Sequence, residues 1–260
     1  MESLCLTKMC KITHNSFMNE NHGNHGTRFV NAYNVVDHSL RTVYNFRANI
    51  SFTDLIRRCS GLNTVVRIYE DELLDLARLR NAIVHNKSDK LIAEPNIEVV
   101  ELLEKIAKLL STPPLAVDSI ASKTVDTAPH NLPLRDLILE TARVRHSNIP
   151  IYKGDTLIGV IRWRKFVEVL AKYIISQNKS VDEFIQSTTT EEFIKTFPYN
   201  NHYLIVSSKV SIEEVLTLFN QNRKLASVII TKDGTAECRP VGIVTGGDVM
   251  DLLKVLEDFK

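Results

Sequence analysis

The chain has 260 residues, 44% of them hydrophobic and 24% charged, the composition of a soluble globular protein with room for two ordinary domains. Its 32 Lys and Arg against 31 Asp and Glu leave a formal net charge of +1, so no global field draws it to a polyanion and any nucleic-acid contact has to be local. Four scattered cysteines (Cys5, Cys10, Cys59, Cys238) give no metal-ligand pairs and no disulfide framework, no apolar run is long enough for a bilayer, and the first residues hold no signal-peptide core. These features predict a cytoplasmic protein with no metal site and no membrane partner.

Residues 1–27 are polar, rich in Asn and His, and without a sustained period; they read as a flexible tail rather than, through Asn21-His22-Gly23-Asn24-His25-Gly26, a metal tract. From Phe29 to Leu110 the apolar spacing is helical. Phe29, Val30, Tyr33, Val36, Leu40 and Val43 mark a first helix, a shorter one spans about Phe52 to Arg58, and Asn63 caps a long third helix to about Val84. Pro95 opens a fourth from Asn96 to Leu110, striped by Val99, Leu102, Leu103, Ile106 and Leu110. Ser111-Thr112-Pro113-Pro114 ends this all-α region and sets a domain boundary between 112 and 113.

In the third helix Val66, Tyr69, Leu73, Leu76, Ala77 and Val84 share one face, and Arg80 falls near its middle. A bare buried guanidinium is costly, so Arg80 has to meet a partner charge, line a pocket, or reach for water. Arg80-Asn81-Ala82-Ile83-Val84-His85 follows, and His85 lies about 140° around an unbroken helix from Arg80. One protomer therefore cannot easily focus both groups on a single atom.

Beyond the prolines, one order of elements occurs twice. Thr124 to Thr127 leads to helical Leu134 to Arg143, strand Ile149 to Tyr152, a turn at Lys153-Gly154-Asp155, strand Leu157 to Ile161, and a helix from about Arg164 to Ile175. Leu204 to Ser207 leads to helical Ile212 to Asn220, strand Ser227 to Ile230, a turn at Lys232-Asp233-Gly234, strand Val241 to Val244, and the closing helix from Val249. A period of about 80 residues is too long for a solenoid and suits two βαββα half-domains packed on each other, making the whole chain α+β.

The last strand breaks into Thr245-Gly246-Gly247-Asp248. A strand ending in Thr puts a hydroxyl beside the free N–H groups of the next helix, where phosphate is favoured, and the glycines let a ligand approach the backbone. Asp248 can accept hydrogen bonds from both hydroxyls of a ribose. The plain alternative is a strand-to-helix turn with Asp248 as its cap.

Gly242, Ile243, Thr245 and Asp248 complete the pattern Gly, apolar, any, Thr or Ser, any, any, Asp. With the duplication, residues 113–260 resemble a tandem pair of cystathionine-beta-synthase (CBS) domains, repeat one at about 113–178 and repeat two at about 179–260. The resemblance implies a regulatory module without chemistry of its own that binds an adenine nucleotide between its repeats and requires no cofactor. Thr245 would meet phosphate, Asp248 the ribose, Gly246 and Gly247 the open approach, and Ile205, Val206, Ser227 and Val228 the base. Repeat one departs from the pattern, with Arg162 in place of Thr and Lys165 in place of Asp. Its cleft is either empty or a second anionic site at Arg162, Arg164 and Lys165.

The Arg80-Asn81 to His85 string resembles the motif of HEPN (higher eukaryotes and prokaryotes nucleotide-binding) domains, four- or five-helix bundles that dimerise around a composite site. For residues 28–112 this implies a homodimer and, in the catalytic branch, metal-independent RNA cleavage: His85 as general acid or base, Arg80 on the phosphorane, Asn81 orienting the pair. Lys87 stands where some toxin members carry a Tyr. Three functions thus stand open: a nucleotide-sensing regulator whose CBS pair controls a helical dimer, a nucleotide-gated endoribonuclease, or a structural oligomer with vestigial sites. No P-loop, dinucleotide fingerprint, nucleophile elbow or metal helix offers another chemistry, and Trp163 is read as a core or rim aromatic.

Overall fold

A computed structural model describes residues 25–84, 94–119, 125–142, 147–176, 180–196 and 202–259. The chain is mixed α+β and divides into two compact units, Met1–Pro114 with Leu256–Lys260, and Leu115–Val255.

The first unit is helical: α1 (His25–Tyr44), α2 (Phe52–Ser60), α3 (Thr64–Ile68), α4 (Glu70–Ile83) and α5 (Ile97–Ser111). Helix α1 begins at His25, so the last three residues of the expected tail are helical, and the backbone N–H of His25 is fixed by the Glu94 carboxylate at 3.0 Å. It ends where Asn45 turns to φ 54°, the left-handed conformation that stops helices. Helices α1 and α5 pack on each other with Phe29, Val36 and Leu40 of one and Val100, Leu103 and Ile106 of the other buried, and a two-pronged Arg28–Glu104 pair (2.7 and 2.9 Å) joins them.

The expected long third helix is two helices. Asn63 caps the first through its side chain, accepting from Val66 N at 3.0 Å. Tyr69 then leaves helical geometry (φ −108°, ψ 25°), and Glu70, Asp71 and Glu72 start α4 with the acidic first turn that a new N-terminus favours. The apolar period runs unbroken through the joint, which is why sequence spacing does not reveal it.

The second unit contains α6 (Ala116–Ser119), β1 (Ala128–Pro129), α7 (Leu134–Thr141), β2 (Asn148–Lys153), β3 (Thr156–Arg162), α8 (Trp163–Ser176), α9 (Val181–Ser187) and α10 (Thr190–Lys195). There follow β4 (Tyr203–Ser207), α11 (Ile212–Gln221), β5 (Ser227–Thr231), β6 (Pro240–Thr245) and α12 (Val249–Glu257). Two three-stranded sheets, β1-β2-β3 and β4-β5-β6, each have a parallel first pair and an antiparallel second pair. This is βαββα twice. The first strand of repeat one sits later than expected, at Ala128–Pro129: Pro129 lacks the N–H a longer ladder needs, and Val125 to Thr127 remain outside it.

Neither repeat is closed by its own residues. Helix α6, ahead of repeat one, docks on repeat two, where Ala116 N donates to Val210 O at 2.9 Å beside a Leu115–Ser211 bridge. Helix α10, ahead of repeat two, docks on repeat one, where Thr190 N donates to Leu132 O at 2.9 Å beside a Pro133–Thr189 bridge. The two bonds are equivalent, because Val210 and Leu132 each precede the N-cap of their repeat's first helix. Phe193 and Ile194 of α10 accordingly belong to the repeat-one core with Leu134, Ile149, Ile151, Ile161 and Phe166, although the order of elements in the sequence places residues from 179 onward in repeat two.

Candidate functional site

The ladders place the two motifs in equivalent positions. In repeat two Ser227 pairs with Thr245 and Ile230 with Gly242; in repeat one Asn148 pairs with Arg162 and Ile151 with Gly159. Both ladders slip by one residue just after Ile151 and Ile230. Arg162 thus occupies the place of Thr245, as the sequence spacing indicates, and Asn148 that of Ser227.

These pairs lie on the sheet faces that meet between the repeats. Val160, Ile229 and Ile243 form the inter-repeat cluster with Tyr152 and Leu157, and residues two apart on a strand share a face. Arg162 therefore follows Val160 on that face, Thr245 follows Ile243, and Ser227 precedes Ile229. Val160 is tied across the interface as well: His202, just ahead of β4, contacts its carbonyl oxygen through Nε2 at 3.0 Å. Burial, ahead of repulsion from Arg162 and Lys165, holds the His202 imidazole below its ordinary value against the opposing effect of that bond.

At the end of β6 the Thr245-Gly246-Gly247-Asp248 turn closes on itself. Asp248 Oδ2 accepts from Thr245 N at 2.7 Å and from Thr245 Oγ1 at 2.8 Å, while Asp248 N donates to Thr245 O at 3.0 Å. Asp248 thus turns back onto the end of β6 rather than capping α12 through its side chain, and among the described residues its Oδ1 accepts from no donor. To bind a phosphate, the Thr245 hydroxyl has to turn its proton from Asp248 to the ligand. Neither glycine is demanded by the fold: a Cβ on Gly246 meets nothing within 4 Å, and one on Gly247 comes no closer than 3.6 Å to Thr245 Oγ1. Both are exposed.

Of the base-side residues, Val206 and Val228 are buried, and Ile205 packs against the inter-repeat cluster. Ser227 is fully buried, and its hydroxyl has no hydrogen-bond partner. Only three buried side-chain polar atoms among the described residues are orphaned in this way: Ser227 Oγ, Asn148 Oδ1 and Arg80 Nε. The first two stand at equivalent register positions. An orphaned buried group costs about 1–3 kcal/mol, so finding two at one place in a duplicated fold calls for an explanation in what the place is for.

Repeat one has no comparable turn. Strand β3 runs into α8 without an intervening residue, and Trp163 N is taken by Ser147 O at 3.0 Å. Lys165 and Arg164 both reach Glu168, at 2.8 and 3.6 Å, and Lys165 leads in pulling that carboxyl below the usual range. Arg162 makes no such pair. Trp163 stands edge-on to Phe166 at 5.0 Å and packs on the repeat-one core.

In the helical unit Val66, Tyr69, Leu73, Leu76, Ala77 and Val84 are all buried, so the face read from the sequence is the core face. Arg80 has Cζ 5.9 Å from the centroid of the Tyr33 ring, with Nε buried and unpartnered. Burial, with Asp37 adding to it, pushes the Tyr33 phenol well above its ordinary range. Asn81 is exposed, and His85 lies outside the described residues, as does Lys87. Among the described residues no helix is long and apolar enough to cross a membrane.

The CBS domain family model matches residues 194–255, which hold most of repeat two. Repeat one reproduces the topology and register of that repeat strand for strand, so the C-terminal unit pairs two small sheets of one design. Similar solved structures include the CBS domain of a bacterial CNNM/CorC family Mg2+ transporter in complex with ATP (19% identity over 59% of this chain and 95% of that one, TM-score 0.41). A CBS domain pair in complex with 5′-methylthioadenosine and S-adenosyl-L-methionine is also 19% identical, over 55% and 97%, with TM-score 0.38. The CBS domain of a CBS domain-containing membrane protein from Sphaerobacter thermophilus is 17% identical over 54% of this chain and 88% of that one, with TM-score 0.41. No curated protein matches the chain.

Proposed function

We propose that the protein is a regulator in which the CBS pair, about 113–260, binds an adenine nucleotide and passes its occupancy to a helical dimer domain, about 28–112, in the cytoplasm. The observation that carries the reading is the buried, unpartnered hydroxyl of Ser227 directly across the ladder from Thr245, beside a turn whose two glycines are exposed. A ligand seated there gives Ser227 a partner, takes phosphate on the Thr245 end of α12, and gives Asp248 Oδ1 a ribose hydroxyl. Calorimetry of the full chain with AMP, ADP, ATP and a dinucleotide tests this. One nucleotide per chain is expected, weakened by Thr245→Ala and Asp248→Ala by about 1.5–3 kcal/mol each, the worth of a charged hydrogen bond. No heat with any adenosine ligand refutes it.

A second reading, the gated ribonuclease, is favoured by Arg80, whose Nε is a buried donor waiting for an anion. It predicts RNA cleavage in chelator that His85→Ala abolishes. Intact RNA with and without nucleotide rejects it, and if calorimetry is also silent the structural-oligomer reading is what stands.

A further inference from the structure

We propose that repeat one carries a second ligand site of different chemistry, an oxyanion site built on Arg162 and Asn148 that takes a phosphate group and not a ribose diol. The two residues are direct cross-strand partners, so their side chains leave the sheet on the same, inter-repeat face. Asn148 is only 5% exposed, and the oxygen of its amide has no partner while Nδ2 rests on the Ser147 hydroxyl at 3.2 Å. Turned over, the amide keeps that hydroxyl through Oδ1 and presents Nδ2, a neutral donor, beside the Arg162 fork. Arg162 is half-buried and has no carboxylate among the described residues, whereas its neighbours Arg164 and Lys165 are occupied by Glu168.

A guanidinium beside a buried amide donor fits an oxyanion. No acidic acceptor stands where Asp248 stands in repeat two, so a diol has nothing to donate to. Repeat two also contributes, since His202 braces β3 at Val160, two residues before Arg162 on the same strand. The site is thus independent of the nucleotide reading for Thr245 and Asp248.

The single tryptophan supplies the assay, because Trp163 is the residue after Arg162 and the chain has no other. Inorganic phosphate is titrated into the full chain at constant ionic strength while Trp163 fluorescence is followed, in wild type, Arg162→Gln, Asn148→Ala and Asp248→Ala, with AMP in a parallel series. The expected result is a saturable phosphate response in wild type and in Asp248→Ala, weakened about tenfold or more by Arg162→Gln and by Asn148→Ala. Circular dichroism confirms that each variant is folded. A response to AMP but not to free phosphate, even if lost in Arg162→Gln, shows that the nucleoside is needed for binding and overturns a site built for phosphate alone. No saturable response to either, a response unchanged by Arg162→Gln, or one lost in Asp248→Ala overturns it. Calorimetric silence toward AMP alone defeats the nucleotide reading and leaves this one standing.

Discussion

Replacing Ser227 by Ala should stabilise the ligand-free protein and weaken its response to nucleotide. The side chain is fully buried in β5, and its hydroxyl finds no partner, so folding strips water from a polar group and returns nothing. That desolvation costs about 1–3 kcal/mol, against which the small void left by an oxygen atom counts for a fraction, so Ser227→Ala should gain about 1 kcal/mol. For a protein of this size such a gain raises the melting temperature by about 2–4 °C. Nucleotide at a hundred times its dissociation constant stabilises wild type by about 2.7 kcal/mol. If the ligand bonds to Ser227, loss of one neutral hydrogen bond worth about 1 kcal/mol lowers the affinity about fivefold and leaves a stabilisation of about 1.8 kcal/mol at the same concentration. Thermal melts with and without AMP read both effects. A ligand-free Ser227→Ala protein that is less stable by 1 kcal/mol or more would refute the reasoning, because it would mean the hydroxyl has a partner in the folded chain.

Gly246→Ala puts a methyl group into open space, so stability should hold or rise by about 0.4–1 kcal/mol while nucleotide affinity falls; unchanged affinity means that no ligand approaches there. Gly234→Ala should cost about 1–3 kcal/mol in urea melts, because Gly234 sits at φ 84° and a Cβ would stand 3.0 Å from Ser207 N; a neutral result would show that the hairpin can re-form without its contact to β4. His202 has its imidazole held below the ordinary 6.5, so the unfolded chain takes up its proton first as pH falls. Its contribution is therefore complete above about pH 6.5 and is lost as pH drops through that value toward the folded one, and wild type should lose more stability than His202→Gln between pH 7 and 5. Equal slopes in the two proteins would remove His202 from the acid response.

Much of this was legible in the sequence, for reasons that differ by element. Strands β5 and β6 and helix α12 have apolar runs bounded by turn residues, and the Thr245-to-Asp248 turn carries its own chemistry; each is a local signal, and the family model finds the same stretch. The stripe of α4 was equally plain. What the sequence could not reveal depends on geometry that spacing does not record. The break at Tyr69 leaves the apolar period intact. The exchange of α6 and α10 between repeats is a matter of which core Phe193 enters, and an amphipathic helix does not name its partner. Asn148 carries no signal of its own in the sequence, because a lone Asn at the head of an apolar strand reads as a turn residue; its pairing position opposite Arg162, equivalent to that of Ser227, is what distinguishes it.

The exchanged helices also bear on why a repeat with a degenerate motif persists in the chain. Repeat one lends α6 to repeat two and takes α10 from it, through equivalent backbone bonds from Ala116 to Val210 and from Thr190 to Leu132. The inter-repeat cluster then draws Tyr152, Leu157 and Val160 from one sheet and Ile229 and Ile243 from the other. Removing either repeat would uncover both sheets and strand both lead-in helices, so the pair has to fold as one. Both proposed sites rest on this shared floor: Thr245 extends the strand of Ile243, and Arg162 extends the strand of Val160. A ligand that shifts either strand end has to be accommodated by the same few side chains that support the other, and because binding linkage is reciprocal, phosphate at Arg162 should change nucleotide affinity at Thr245 by the factor that nucleotide changes phosphate affinity. Equal affinities with and without the other ligand would show a floor too rigid to couple them, and the degenerate repeat would then serve the fold alone.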